Sequence, residues 1–114
     1  MKTTGALLAL LLCSGVFHAT AVAAADDDIE MRKILKENDC FKCHAVDKTK
    51  KGPSYKSIAA KYKGKEAEGE EKMIKNITTG PMVKLEDGSE EEHKIIDITD
   101  KQELKKLVRW ILSL

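Results

Sequence analysis

The chain has 114 residues, with 20 Lys and Arg against 19 Asp and Glu and about 4% aromatic residues, a size that allows one small domain and excludes a multidomain enzyme. A formal net charge of +1 supplies no global field for a nucleic-acid partner. Lys2 is the single charged residue before Asp26, so the averages mix two different segments.

The first segment carries Lys2, an apolar stretch from Ala6 to Leu12 that resumes at Val16, and the small residues Ala23-Ala24-Ala25. This order of positive, apolar and small residues is that of a secretory signal peptide. Residues 1–25 are therefore expected to be removed, leaving 26–114 as a single exported domain with no stable membrane insertion. The competing reading is a retained membrane anchor, but Ser14, His18 and Thr20 interrupt the run and Asp26-Asp27-Asp28 follow it directly. Cys13 follows Leu12, which is larger than the residue that a lipidation site places there. The mature chain would have 89 residues and balanced charge, 19 basic against 19 acidic. Domains this small usually need a staple such as a disulfide, a metal or a cofactor.

Asp26 to Asp28 place negative charge where a helix would begin, and Ile29, Ile34 and Leu35 supply an inward stripe on a helix ending near Asn38. Next comes Cys40-Phe41-Lys42-Cys43-His44. This C-x-x-C-H pattern is the covalent attachment site of a c-type haem: two thiols about one helical turn apart can reach the two vinyl groups of one porphyrin, and the histidine ligates the iron. A dithiol redox pair would not need His44, and a zinc site would need a second pair of ligands. Pro53 suits the first turn of a second helix carrying Tyr55, Ile58, Ala59 and Tyr62 and stopped by Gly64. A third helix is expected over about 68–79 with Met73, Ile74 and Ile77, ended by Gly80-Pro81.

Residues 81–96 break the helical pattern. Met82-Val83-Lys84-Leu85 and His93-Lys94-Ile95-Ile96 flank Glu86-Asp87-Gly88, which reads as a short β-hairpin or a solvated acidic loop. Either Thr99 with Gln102 or Asp100 with Glu103 forms a capping box for the last helix. Its stripe is Leu104, Leu107, Val108, Ile111 and Leu112.

With these elements the chain resembles the small bacterial class I cytochromes c, single-haem electron carriers of the periplasm. The resemblance is carried by Asn38 through Lys48, by Lys51-Gly52-Pro53-Ser54-Tyr55, by Ile58-Ala59-Ala60-Lys61-Tyr62 and by Trp110-Ile111-Leu112. It implies an all-α fold of about four helices around one covalent haem c held by Cys40 and Cys43, with His44 on the iron. It further implies that the Pro53 carbonyl accepts a hydrogen bond from the other ring nitrogen of His44, that Gly52 lets the backbone come close to the haem, and that Tyr55, Tyr62 and Trp110 are candidates for the haem wall.

Such a haem takes a sixth ligand opposite His44, in the family normally a methionine shortly before the last helix. Position favours His93 and residue type favours Met82. His93 lies 17 residues before Trp110, close to the family's usual spacing, whereas Met82 lies 28 before it. Met31 and Met73 read as packing residues. Two imidazoles would lower the reduction potential relative to a thioether, and a bis-histidine carrier would be similar to periplasmic cytochromes of metal-oxidising bacteria.

Lys48, Lys50, Lys51, Lys56, Lys61, Lys63 and Lys65 form a basic stretch with no intervening acid. Beside a haem edge, these lysines would steer an acidic redox protein. The function expected is that of a monomeric, non-enzymatic one-electron carrier in the periplasm. The alternatives are a haem-based gas-binding or sensor protein and the cytochrome subunit of a dehydrogenase complex.

Overall fold

In the computed structural model, residue 1 and residues 19–114 are described. Residues 2–18, which hold most of the expected export signal, lie outside them. The first helix, α1 (Ala19–Glu37 among the described residues), is already helical before Asp26, since the alanines there favour helix and no Gly or Pro intervenes. Its buried face is Met31, Ile34 and Leu35, while Ile29 is 68% exposed. That corrects the stripe expected from sequence: positions 31, 34 and 35 share a face, whereas five residues of helix rotate Ile29 well away from Ile34. Met31 is a packing residue, as expected.

Asn38 and Asp39 close α1, with Asp39 at φ 59° in the left-handed region, which a short polar side chain tolerates better than most. A single 3₁₀ turn, Cys40–Lys42, follows. Helix α2 (Tyr55–Tyr62) starts after Ser54, whose hydroxyl accepts from the Ser57 N–H. Pro53 therefore precedes the cap instead of occupying the first helical turn. Helix α3 (Glu66–Thr79) opens two residues earlier than expected and ends at Gly80, whose φ of 60° is the left-handed cap that glycine adopts at least cost.

The hairpin is present. Strands β1 (Met82–Lys84) and β2 (Glu90–Glu92) are antiparallel, with Val83 opposite Glu91. The turn uses Gly88 at φ 86° and an Asp87 carboxylate that accepts from the Ser89 N–H at 2.9 Å. Helix α4 (Lys101–Leu112) is capped by Asp100, not Thr99: Oδ1 of Asp100 accepts from the N–H groups of Gln102 and Glu103 at 2.7 and 3.0 Å.

Helix α4 packs against α1, α2 and α3. Leu104, Leu107 and Ile111 join Met31, Ile34, Leu35, Tyr55 and Ile96 in one core, with Trp110 partly buried beside it. Gly69 lets the helices close up, since a Cβ there would lie 2.7 Å from Tyr62 Cγ and 3.0 Å from a Leu112 methyl. Arg109 pairs with the half-buried Glu70 and Lys106 with the exposed Glu30, tying α4 to α3 and α1; surface pairs of this kind add little stability. The architecture is four helices with one small sheet, and α4 at its centre leaves the Cys40–His44 turn and the segment after β2 on the same side of the core.

Candidate haem site

Local backbone bonds shape the attachment motif. The N–H groups of Cys43 and His44 both donate to the Cys40 carbonyl, at 3.2 and 3.0 Å, so the two cysteines sit one tight turn apart. Both are unpaired and half-buried. Burial raises the Cys40 thiol above its ordinary value and keeps it protonated rather than a free thiolate. Among the described residues there is no cluster of three or more His, Cys, Asp or Glu that could hold a metal ion by itself, which leaves the zinc alternative without its second ligand pair.

His44 is clamped on several sides. Its Nδ1 lies 2.7 Å from the Pro53 carbonyl, the contact that the sequence resemblance implied. Nδ1 must then carry the proton, and Nε2 keeps its lone pair. The Tyr55 ring stacks on the imidazole at 5.2 Å between centres and 23° between planes, and Phe41 meets Tyr55 edge-on at 6.3 Å. Beneath the ring lies Gly52, where a Cβ would stand 2.7 Å from Cε1 of His44. The close approach expected at Gly52 is therefore made to the imidazole itself. Burial lowers the His44 pKa, partly opposed by the Pro53 hydrogen bond, so the ring is held neutral and able to ligate. Backbone bonds from Tyr55 to Ala45 and from Lys56 to Val46 lace the motif to the start of α2.

His93 stands close to this ring. Its ring centre lies 6.2 Å from that of His44, with 40° between the planes. Its Nδ1 is 2.9 Å from the Lys94 carbonyl, so here too a carbonyl claims Nδ1 and leaves Nε2 with the lone pair. Two imidazoles bound on opposite sides of one metal atom at about 2 Å per bond have ring centres about 6 Å apart. The two rings thus meet that spacing. Met82, the rival residue, is 59% exposed on β1.

Of the three candidate aromatics, Tyr55 meets the site by stacking on His44. Tyr62 is packed at Gly69, and Trp110 lies in the core beneath the Arg32 guanidinium at 5.7 Å. Sequence reasoning missed Asn38 and Asp39, which reach across to the His93 segment: Asn38 Oδ1 accepts from the Asp97 N–H at 2.9 Å, and Asp39 Oδ2 pairs with Lys94 Nζ at 3.0 Å. Their only sequence signal was a pair of turn-forming residues directly before Cys40.

A protein-family model described as cytochrome c matches residues 30–114. Cytochrome c-551 of Pseudomonas aeruginosa is 31% identical over 103 residues, spanning 90% of each chain. The chain belongs to the cytochrome c family. Cytochrome c-551 of Allochromatium vinosum is 27% identical over 83% of this chain and 97% of its own. Among solved structures, the class 1 cytochrome MtoD from Sideroxydans lithotrophicus ES-1 superposes with a TM-score of 0.70 at 50% identity, covering 76% of this chain and 95% of that one. As in its homologues, haem c is the cofactor of this cytochrome, with Cys40 and Cys43 in the position of covalent attachment, and the protein is a small monohaem electron-transfer cytochrome.

Proposed function

We propose that this cytochrome is an exported, monomeric one-electron carrier of the periplasm whose haem is ligated on both faces by histidine, His44 and His93. The observation that carries the reading is the pairing of these two rings at 6.2 Å, each with Nδ1 at a backbone carbonyl. When bound, the haem supplies a reversible ferric/ferrous couple. His44 presents a neutral imidazole nitrogen, the Pro53 and Lys94 carbonyls each face an Nδ1 and leave Nε2 of His44 and of His93 for the iron, and Tyr55 and Gly52 keep the His44 ring from turning. Removal of residues 1–25 would leave Asp26 at the start of the mature protein.

The lysines from Lys48 to Lys65 are all exposed. The Lys50 ammonium donates to the Phe41 carbonyl within the attachment motif, and Lys51 pairs with Glu91 at 3.8 Å, so the basic stretch borders the site. It fits an acidic docking surface on the redox partner, reached in brief, salt-sensitive encounters.

The visible and electron-spin spectra of the oxidised holoprotein test the ligation. A low-spin spectrum without the iron–thioether charge-transfer band is expected; presence of that band, lost in Met82→Ala, would overturn it.

A further inference from the structure

Segment 93–97, which carries His93, has little core of its own: Lys94, Ile95 and Asp97 are exposed, and Ile96 is its one buried side chain. Segments with few buried contacts open locally at low cost. This one is nonetheless tied down at both ends. The end of α3 and the chain just beyond it hold one side, through the Ile96 N–H to the Ile77 carbonyl and the His93 N–H to the Pro81 carbonyl, both at 2.9 Å. The other side is gripped by two residues that directly precede Cys40. Asn38 bridges with both ends of its amide, donating to the Ile34 carbonyl at 3.0 Å and accepting from Asp97 N–H at 2.9 Å. Asp39, turned outward by its left-handed backbone, uses one carboxylate oxygen for Lys42 at 3.2 Å and the other for Lys94 at 3.0 Å.

We infer that Asn38 and Asp39 are positioning residues that clamp the His93 segment to the haem-attachment turn and so set how often the sixth coordination position opens. This rests on the proposal that His93 is the sixth ligand. The physical logic is geometric. Cys40 is covalently joined to the porphyrin, so whatever binds its immediate neighbours in the chain moves with the haem. A loop fastened only to α3 could swing away from the haem; one fastened also to Asn38 and Asp39 must break two further contacts before His93 can leave. The same clamp would keep exogenous ligands out and commit the protein to electron transfer.

Carbon monoxide binding to the reduced, full-length holoprotein reads the open fraction, because a ligand that needs the open state has its apparent affinity reduced by that fraction. Asn38→Ala should raise the apparent affinity by about threefold to tenfold, the weight of one lost hydrogen bond, and Lys94→Ala by a smaller factor, since an exposed ion pair is weaker, while the ligand-free oxidised spectrum stays that of the wild type. Lys94→Arg, which keeps the charge, should return close to the wild-type value. High salt should raise the wild-type affinity and leave Lys94→Ala unmoved, because salt screens an exposed pair. His93→Ala is the control that separates the two claims. If it binds carbon monoxide freely while Asn38→Ala and Lys94→Ala match the wild type, the clamp is overturned and the ligation stands. If His93→Ala leaves both the spectrum and the carbon monoxide affinity unchanged, the ligation itself fails and the clamp falls with it.

Discussion

The ring centres of His44 and His93 stand 6.2 Å apart, although 49 positions of sequence separate the two residues. His44 is fixed through Pro53, and His93 through Pro81 and Lys94, so each ring arrives with its own backbone support. His93→Met should therefore keep a low-spin haem but raise the reduction potential, on the order of 100 mV, because a thioether favours the ferrous state. Met82→Ala should leave both the spectrum and the potential unchanged. Potentiometric titration of the three proteins distinguishes these outcomes.

Gly52 has no room for a side chain. A Cβ there would come within 2.7 Å of Cε1 and 3.1 Å of Nδ1 of His44, and the ring cannot yield easily because Tyr55 stacks on it. Gly52→Ala should cost about 1–3 kcal/mol, as overpacked sites do, and should weaken the His44–Pro53 hydrogen bond. Denaturant unfolding measures the first effect, and the ring-proton shifts of His44 report the second.

Leu107, 2% exposed at the centre of α4, contributes to the common core rather than to the ligand set. Leu107→Ala should destabilise by about 2–5 kcal/mol through the cavity it leaves, with the oxidised spectrum unaltered at low temperature. Thermal unfolding and the visible spectrum of one sample give both readings.

At the start of α4, Asp100 accepts from two otherwise unpaired N–H groups. Asp100→Ala should cost about 1 kcal/mol, while Thr99→Ala, which removes the rival cap, should cost much less. Urea midpoints of the two variants, at unchanged slope, test the assignment.

Acid should weaken the fold through specific carboxylates. Glu66 accepts from the Gly64 N–H, and Asp87 from the hydroxyl and N–H of Ser89; these bonds lower both pKa values. A carboxyl group whose folded pKa lies below its unfolded one adds stability above the unfolded value, and that stability is lost as pH falls through the folded value. Stability should therefore fall as pH drops below about 4, and the fall should be shallower in Glu66→Gln. Denaturant unfolding at a series of pH values between neutral and strongly acidic checks this.

Much of the architecture was legible because its signals are local. The C-x-x-C-H spacing, the glycine stops at Gly64 and Gly80, the Asp87-Gly88 turn and the stripe of α4 each depend on neighbours within about one or two turns. The errors arose where local rules compete. Alanine propensity made α1 helical before Asp26, and a serine cap displaced Pro53 from the first turn of α2. The buried face of α1 passed from Ile29 to Met31 because the helical wheel, not residue hydrophobicity, decides which side meets α4.

By itself, the sequence determined that one haem would be held covalently at Cys40 and Cys43 beside His44, because that chemistry needs three residues at fixed short spacing. It left the opposite side open between His93 and Met82, since a ligand brought in from a distant segment has no local signature. In the tertiary structure the His93 ring stands 6.2 Å from that of His44, while Met82 is exposed on β1. That placement depends on contacts that no short window contains: the Asn38 amide meets Asp97 across 59 residues of chain, and α3 and α4 must both pack before that segment has anything to rest on.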